Sequence, residues 1–167
     1  MGSVQAAASC HLCSMPMLDE ILDSRPLLLL GMGNPLRGDD AIGHVLAEAL
    51  EPLNKEGFQS RAVGASVENA MRWVRETAGG TVLLADAVYD DSIEEGAWAL
   101  YPPDQLDSMC HSTHSIPLSM LISYWQKEVP DLRVYFLGIS IRSNIEMAPL
   151  SPALKRTFSS LRSLLQG

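Results

Sequence analysis

Apolar positions along this chain recur in two rhythms, one suited to strands and one to helices. Leu27 to Met32 is a short apolar run set between Pro26 and Gly33, and such a run predicts a strand covered on both faces. Ile42, Val45, Leu46, Ala49 and Leu50 then return at three- and four-residue intervals, the stripe of an amphipathic helix. Phe58 to Val63 reads as a second strand. Val67 to Thr77, carrying Met71, Trp73 and Val74, reads as a second helix that stops before Gly79-Gly80. Thr81 to Asp90 is apolar and β-branched, a further strand with the carboxylate of Asp86 at its C-terminal end. Gly96 to Tyr101 predicts an extra strand stopped by Pro102-Pro103, with a loop from Asp104 to His114 beyond it. Leu118, Leu121, Ile122 and Trp125 make a third helical stripe, with Pro117 suited to its first turn. Arg133 to Ile139 predicts another strand. Ser151-Pro152, a cap followed by proline at the first helical position, opens a closing helix carrying Leu154, Phe158, Leu161 and Leu165.

Strands alternating with helices at this spacing predict an α/β fold in three layers, a twisted, mostly parallel sheet with helices on both faces. In such sheets ligands bind beyond the carboxyl ends of the strands. Asn34, Asp39, Asp40, Asp86 and the 104–114 loop all fall there in this arrangement, so acidic groups converge on the place where a ligand is expected.

The chain has 167 residues, 47% of them apolar, enough for one core and too few for two ordinary domains. Residues 1–16 are small, polar and aperiodic and predict disorder. With a short helix over Met17 to Asp23 they form an N-terminal extension, 1–26, ahead of a single domain over 27–167. Twenty acidic side chains against twelve basic ones leave a net charge of -8, which repels nucleic-acid phosphates and anionic membranes. No nucleic-acid partner is expected. Cys10, Cys13 and Cys110 are an odd set without framework spacing, the usage of a cytoplasmic protein with reduced thiols. The longest pure apolar run, Leu27 to Leu30, is far short of the roughly 20 residues that cross a bilayer. The N-terminus lacks the basic and hydrophobic regions of a secretory signal, so no membrane insertion is expected.

Several chemistries can be weighed from the motifs. Gly31-Met32-Gly33-Asn34-Pro35-Leu36 lacks the third glycine of a dinucleotide site, and Asp39 and Asp40 stand where the pyrophosphate would lie. Cys10 and Cys13 have redox or zinc-knuckle spacing without a second pair to complete it. Cys110 adjoins His111, but sequence neighbours seldom face each other for nucleophilic catalysis. No G-x-S-x-G elbow marks a serine nucleophile. Carboxylates and an imidazole gathered from separate loops are a ligand set for zinc, nickel or manganese, and Asp40, Asp86 and one histidine would supply it. Taken singly, each has a plainer role: Asp40 as a helix cap, Asp86 as a solvated strand end, a histidine as a surface or core residue. Of the four histidines, His11 lies in the extension, His44 within the first long helix, and His111 and His114 in the loop. An interior helix position leaves His44 less free than His114 to reach the strand ends.

Leu30 to Gly43, LGMGNPLRGDDAIG, closely resembles the signature of the nickel-iron hydrogenase maturation endopeptidases, G-x-G-N-x-L-x-x-D-(D/E)-x-x-G, and every fixed position matches. The likeness continues at LLADA, Leu83 to Ala87, and STHSIPLSML, Ser112 to Leu121, and more weakly at FLGI and LSPALKRTF. It runs from Leu27 to the C-terminus. What the resemblance implies is a phosphorylase/hydrolase-like fold with a sheet of about five strands. It also implies a protease that removes a C-terminal peptide from a hydrogenase large-subunit precursor once nickel is inserted. Carried over by motif, the metal ligands are Asp40, Asp86 and His114, with His111 as the competing histidine, and Asp40 and Asp86 also serve catalysis. Gly31, Gly33, Asn34 and Asp39 make up the substrate loop. The glycines would let it turn and leave room, Asn34 would donate from its amide or orient a ligand, and Asp39 would cap the helix or steady its neighbour.

Nickel would arrive on the substrate, with zinc or another divalent ion taking its place in the isolated protein. The metal would act either as a Lewis acid and water activator or as a checkpoint that the acidic site reads; the resemblance favours the checkpoint, because cleavage in the family depends on nickel in the substrate. Two readings come from other classes. One is a non-catalytic nickel-dependent binding module, distinguished by whether a precursor is cut. The other is an esterase similar to peptidyl-tRNA hydrolase, which GMGNP also resembles. Those enzymes continue with an aromatic residue and a T-R-H-N segment, where this chain has Leu36-Arg37-Gly38-Asp39-Asp40.

Overall fold

The computed structural model of the chain describes residues 17–106 and 116–166. In chain order its elements are α1 (Leu18–Asp23), β1 (Leu27–Met32), α2 (Ile42–Leu50), β2 (Phe58–Gly64), α3 (Met71–Glu76), β3 (Thr81–Val88), β4 (Trp98–Tyr101), α4 (Leu118–Glu128), β5 (Arg133–Ser140) and α5 (Pro152–Gln166). The five strands lie in the order β2-β1-β3-β5-β4. All neighbours are parallel except the β4–β5 pair. This is the predicted α/β architecture.

The two-residue period of the strands sorts their apolar residues into two cores. Leu28, Leu30, Val82, Leu84 and Phe136 point to one face, where Val74 of α3 and Leu121 and Trp125 of α4 cover them. Leu27, Leu29, Leu83 and Leu137 point to the other, under Ile21 of α1, Leu46 of α2 and Leu161 of α5. A strand buried on both faces has no polar alternation to show, and β1 is buried at every position. Leu18 and Ile21 are both buried, so α1 is packed onto the sheet.

The buried side of α2 includes Gly43 and Ala47 besides Ile42, Leu46 and Leu50. Small residues here let the helix backbone rest directly on the strands. A Cβ added to Gly43 would lie 2.1 Å from the Ala85 carbonyl oxygen and 2.6 Å from that of Met32, and one on Gly31 would lie 2.1 Å from the Gly43 carbonyl oxygen. Gly43→Ala must therefore push α2 off the sheet. It is expected to cost about 2 kcal/mol net, overpacking outweighing the gain in helix propensity. A urea midpoint equal to that of the wild type would show that α2 does not pack this closely.

The β2 edge of the sheet is closed by side chains. Ser60 donates its N–H to Asn54 Oδ1 at 2.7 Å and accepts from Asn54 Nδ2 at 3.2 Å, while Ala62 N–H donates to Glu51 Oε1 at 3.0 Å. These bonds occupy backbone groups that would otherwise invite another strand.

Strand order reverses between β1 and β3. The chain leaves β1 for α2 on one face, whereas α4, the long helix after β3, packs on the other. Loops diverging in this way open a crevice at the carboxyl ends of the two strands. Among the described residues no helix is long and apolar enough to cross a membrane.

Candidate functional site

The crevice between β1 and β3 is built around Gly33. This residue turns the chain out of β1 with φ of 106°, a conformation open to glycine and strained for other residues. A Cβ on it would lie 1.9 Å from the backbone oxygen of Asp40 and 3.4 Å from Asp86 Oδ1. Gly33 thus lies between the two acidic residues singled out by the sequence.

Asp40 is half-buried. Its Oδ2 accepts the Asn34 N–H at 2.9 Å, and Asn34 Oδ1 accepts the Leu36 N–H at 2.9 Å. The Asn34 side-chain oxygen is thus spent within the turn, and the donor or ligand-orienting role expected of Asn34 falls to its amide nitrogen. Neither aspartate caps α2. A 3-10 turn over Gly38–Ala41 precedes that helix, and its own bonds, Asp40 N–H to Arg37 O at 3.0 Å and Ile42 N–H to Asp39 O, already occupy the early amides. Asp39 is 3% exposed and reaches instead to the far end of the chain, where its Oδ1 accepts the Ser151 N–H at 2.6 Å. It clamps the start of α5, a position that suits a negative charge. Gly31 is also placed differently from expectation, inside β1 beneath α2.

Asp86 lies near the carboxyl end of β3, two residues before Val88, and is 7% exposed, so it is not a solvated strand end. Burial pushes its carboxyl up to about 8; the Ala87 N–H, bonded to Oδ1 at 2.8 Å, opposes this, and the charge of Asp40 adds to it. A buried carboxyl with one amide donor and an acidic neighbour resists ionisation until a positive charge arrives. Asp90, four residues on, shows the contrast. It too is penalised by burial, yet bonds from Ser92 and Tyr101 and the nearby Arg142 hold its carboxyl below the usual range. Arg142 also donates to the backbone oxygens of Asp90 and Ile93, bracing the loop after β3.

Two more residues belong to the surroundings of the acidic pair. The Tyr89 hydroxyl is raised by burial and by Asp40, with Arg37 opposing and Asp39 adding. Nothing in the sequence marked Tyr89 beyond its place three residues after Asp86 in the same run. His44 is half-buried on α2. Its Nδ1 has no partner among the described residues and would lie 3.5 Å from a Cβ on Gly64, at the end of β2.

His111, His114 and Cys110 lie outside the described residues, as do His11, Cys10 and Cys13. Among the described residues no group of three or more His, Cys, Asp or Glu side chains is placed to hold a metal ion. The structure brings Asp40 and Asp86 to either side of Gly33, while the Asp39 carboxylate is turned to Ser151.

No family model matches the chain. The hydrogenase 3 maturation protease of Escherichia coli K12 is 28% identical over 141 residues, 84% of this chain and 88% of that protein. The solution structure of the endopeptidase HycI from Escherichia coli is 30% identical with a TM-score of 0.71, over 84% of this chain and 89% of the other. The crystal structure of the nickel-iron hydrogenase maturation protease HycI from Thermococcus kodakarensis KOD1 shares the fold, with a TM-score of 0.77 over 89% of this chain and 96% of the other at 24% identity. The class is that of hydrolases acting on peptide bonds. Within it, this chain belongs to the nickel-iron hydrogenase maturation protease family.

Proposed function

We propose that this chain is the endopeptidase that removes a C-terminal peptide from the nickel-loaded large-subunit precursor of a nickel-iron hydrogenase, acting in the cytoplasm. Residues 27–167 form the protease domain and 1–26 its extension. Asp40, Asp86 and His114 read the nickel, which is part of the substrate. The observation that carries this is the placement of Asp40 and Asp86 on either side of Gly33, where burial and the charge of Asp40 both push the Asp86 carboxyl up.

An acidic pair in this state is completed by a cation. Nickel on the precursor would displace the Asp86 proton, and ligand deprotonation of this kind is a general cost of metal binding. Zinc or another divalent ion would enter the same ligands in the isolated protein. The absence of a side chain on Gly33 lets the Asp40 backbone pack against the turn out of β1, beside Asp86, while the Asn34 N–H fixes the Asp40 carboxylate. A carboxylate oxygen not engaged by the metal takes a proton from the attacking water. The water oxygen then bonds to the scissile carbonyl carbon, the C–N bond breaks, and the proton passes to the leaving nitrogen.

The test is mass spectrometry of a precursor incubated with the protein. Loss of a C-terminal peptide is expected; a stable complex without cleavage would favour the non-catalytic binding module. His111→Ala is expected to process at the wild-type rate. If it alone abolished processing, His111 and not His114 would be the ligand.

A further inference from the structure

Around the acidic crevice three large apolar side chains stand in solvent: Leu36 at 57% exposure, Ile145 at 66% and Met147 at 75%. Singly exposed apolar residues are ordinary. These three come from two loops that the structure joins. Met147 N–H donates to the Leu36 oxygen at 2.7 Å, and a Cβ on Gly38 would lie 3.0 Å from the Ile145 oxygen. The Asp39 bond to Ser151 fixes the end of the second loop to the first. Met147 has φ of 59°, a left-handed conformation that costs a non-glycine residue about 1–2 kcal/mol. Glycine or asparagine would relieve that strain, yet the position presents an unbranched, polarisable side chain, the kind that adapts to varied apolar partners.

We propose that Leu36, Ile145 and Met147 form the surface on which an apolar stretch of the precursor, next to the scissile bond, docks. This rests on the processing reading above and deepens it. The surface is continuous with the site, because Leu36 belongs to the turn whose Asn34 N–H holds Asp40. An enzyme that cuts a polypeptide must hold the chain beside the cleaved bond. Acidic groups that receive a cation give an apolar segment no grip, whereas this patch does.

The test compares processing of nickel-loaded precursor by the wild type, by I145S/M147N and by I145L/M147L over a range of precursor concentrations, with melting curves for each. Both positions are exposed, and asparagine tolerates the left-handed conformation of Met147, so I145L/M147L is expected to melt like the wild type and I145S/M147N at the wild-type temperature or above it. The serine–asparagine variant is expected to raise KM about tenfold or more with kcat unchanged, from the loss of apolar burial on docking. The double leucine variant is expected to keep the wild-type KM. Leu36→Ser, made separately, is expected to raise KM in the same way and guards against a folding defect in the double variant. A wild-type KM in I145S/M147N, a fall in kcat at constant KM, or equal impairment of the leucine variant would overturn the docking surface. Failure of the wild type to cut any precursor would instead overturn the processing reading itself.

Discussion

Asp86→Asn is expected to abolish processing of a nickel-loaded precursor while leaving the fold in place. The amide matches the carboxyl in size and its Oδ1 can still accept the Ala87 N–H, so the end of β3 keeps its packing and its bond. What disappears is the group's ability to become an anion. It can then neither balance a metal charge nor take a proton from water. Since altering even the outer partners of a metal site costs about 10–100-fold, loss of a direct ligand is expected to cost at least about a hundredfold in rate. Asp40→Asn is expected to behave alike, although it also weakens the acceptor of the Asn34 N–H. His114→Ala completes the set. Processing rates by mass spectrometry, alongside circular dichroism and melting curves, check all three. Wild-type maturation by Asp86→Asn would remove that residue from the site.

The same substitution is expected to make the metal-free protein more stable at neutral and mildly alkaline pH. The folded carboxyl titrates at about 8, against about 3.9 in an unfolded chain. Below the unfolded value Asp86 is protonated in both states and contributes no pH dependence. Between the two values the native state keeps a proton that the unfolded chain has released, so stability falls as pH rises, by at most about 1.4 kcal/mol per unit. Above the folded value both states are ionised and the slope vanishes. Asparagine removes the titration, so the gap between variant and wild type should widen steadily from mildly acid to mildly alkaline pH. Asp90 has the opposite sign. Its folded carboxyl lies below the unfolded value, so its contribution is present above the unfolded value and is lost as pH falls through the folded one, outside this window. Urea unfolding at several pH values would decide the matter, and parallel curves for variant and wild type would contradict a buried, protonated Asp86.

Much of this molecule is legible in its sequence because its strongest signals are local. A central parallel strand covered on both faces must be apolar throughout, and Leu27–Met32 says so directly. Leu118, Leu121, Ile122 and Trp125 are all buried, as their helical spacing predicts. Ser151 and Pro152 mark the start of α5, with Ser151 Oγ accepting the Leu154 N–H at 3.4 Å. The placement of Asp40 and Asp86 near one another follows from a general rule of parallel sheets and needs no contact information.

What escaped the sequence depends on distance or on the absence of a side chain. In the sequence Asp39 reads as a cap for its own helix or a support for its neighbour, but its partner Ser151 is 112 residues away, and no local pattern reports such a bond. Gly43 carries no hydrophobic signal, so the close seating of α2 on Met32 and Ala85 appears only when the backbones are placed. Burial of Asp86 is likewise a tertiary property: the strand, its neighbours and the loops around it desolvate a residue whose local sequence fits a solvated strand end equally well.

The central claim is that the acidic crevice reads nickel carried by the precursor and that cleavage follows. Its most direct test is to incubate the protein with nickel-loaded and nickel-free large-subunit precursor side by side and follow the C-terminal peptide by mass spectrometry. Release of the peptide from the nickel-loaded form alone is the predicted result. Equal release from both forms, or none from either, would contradict the claim.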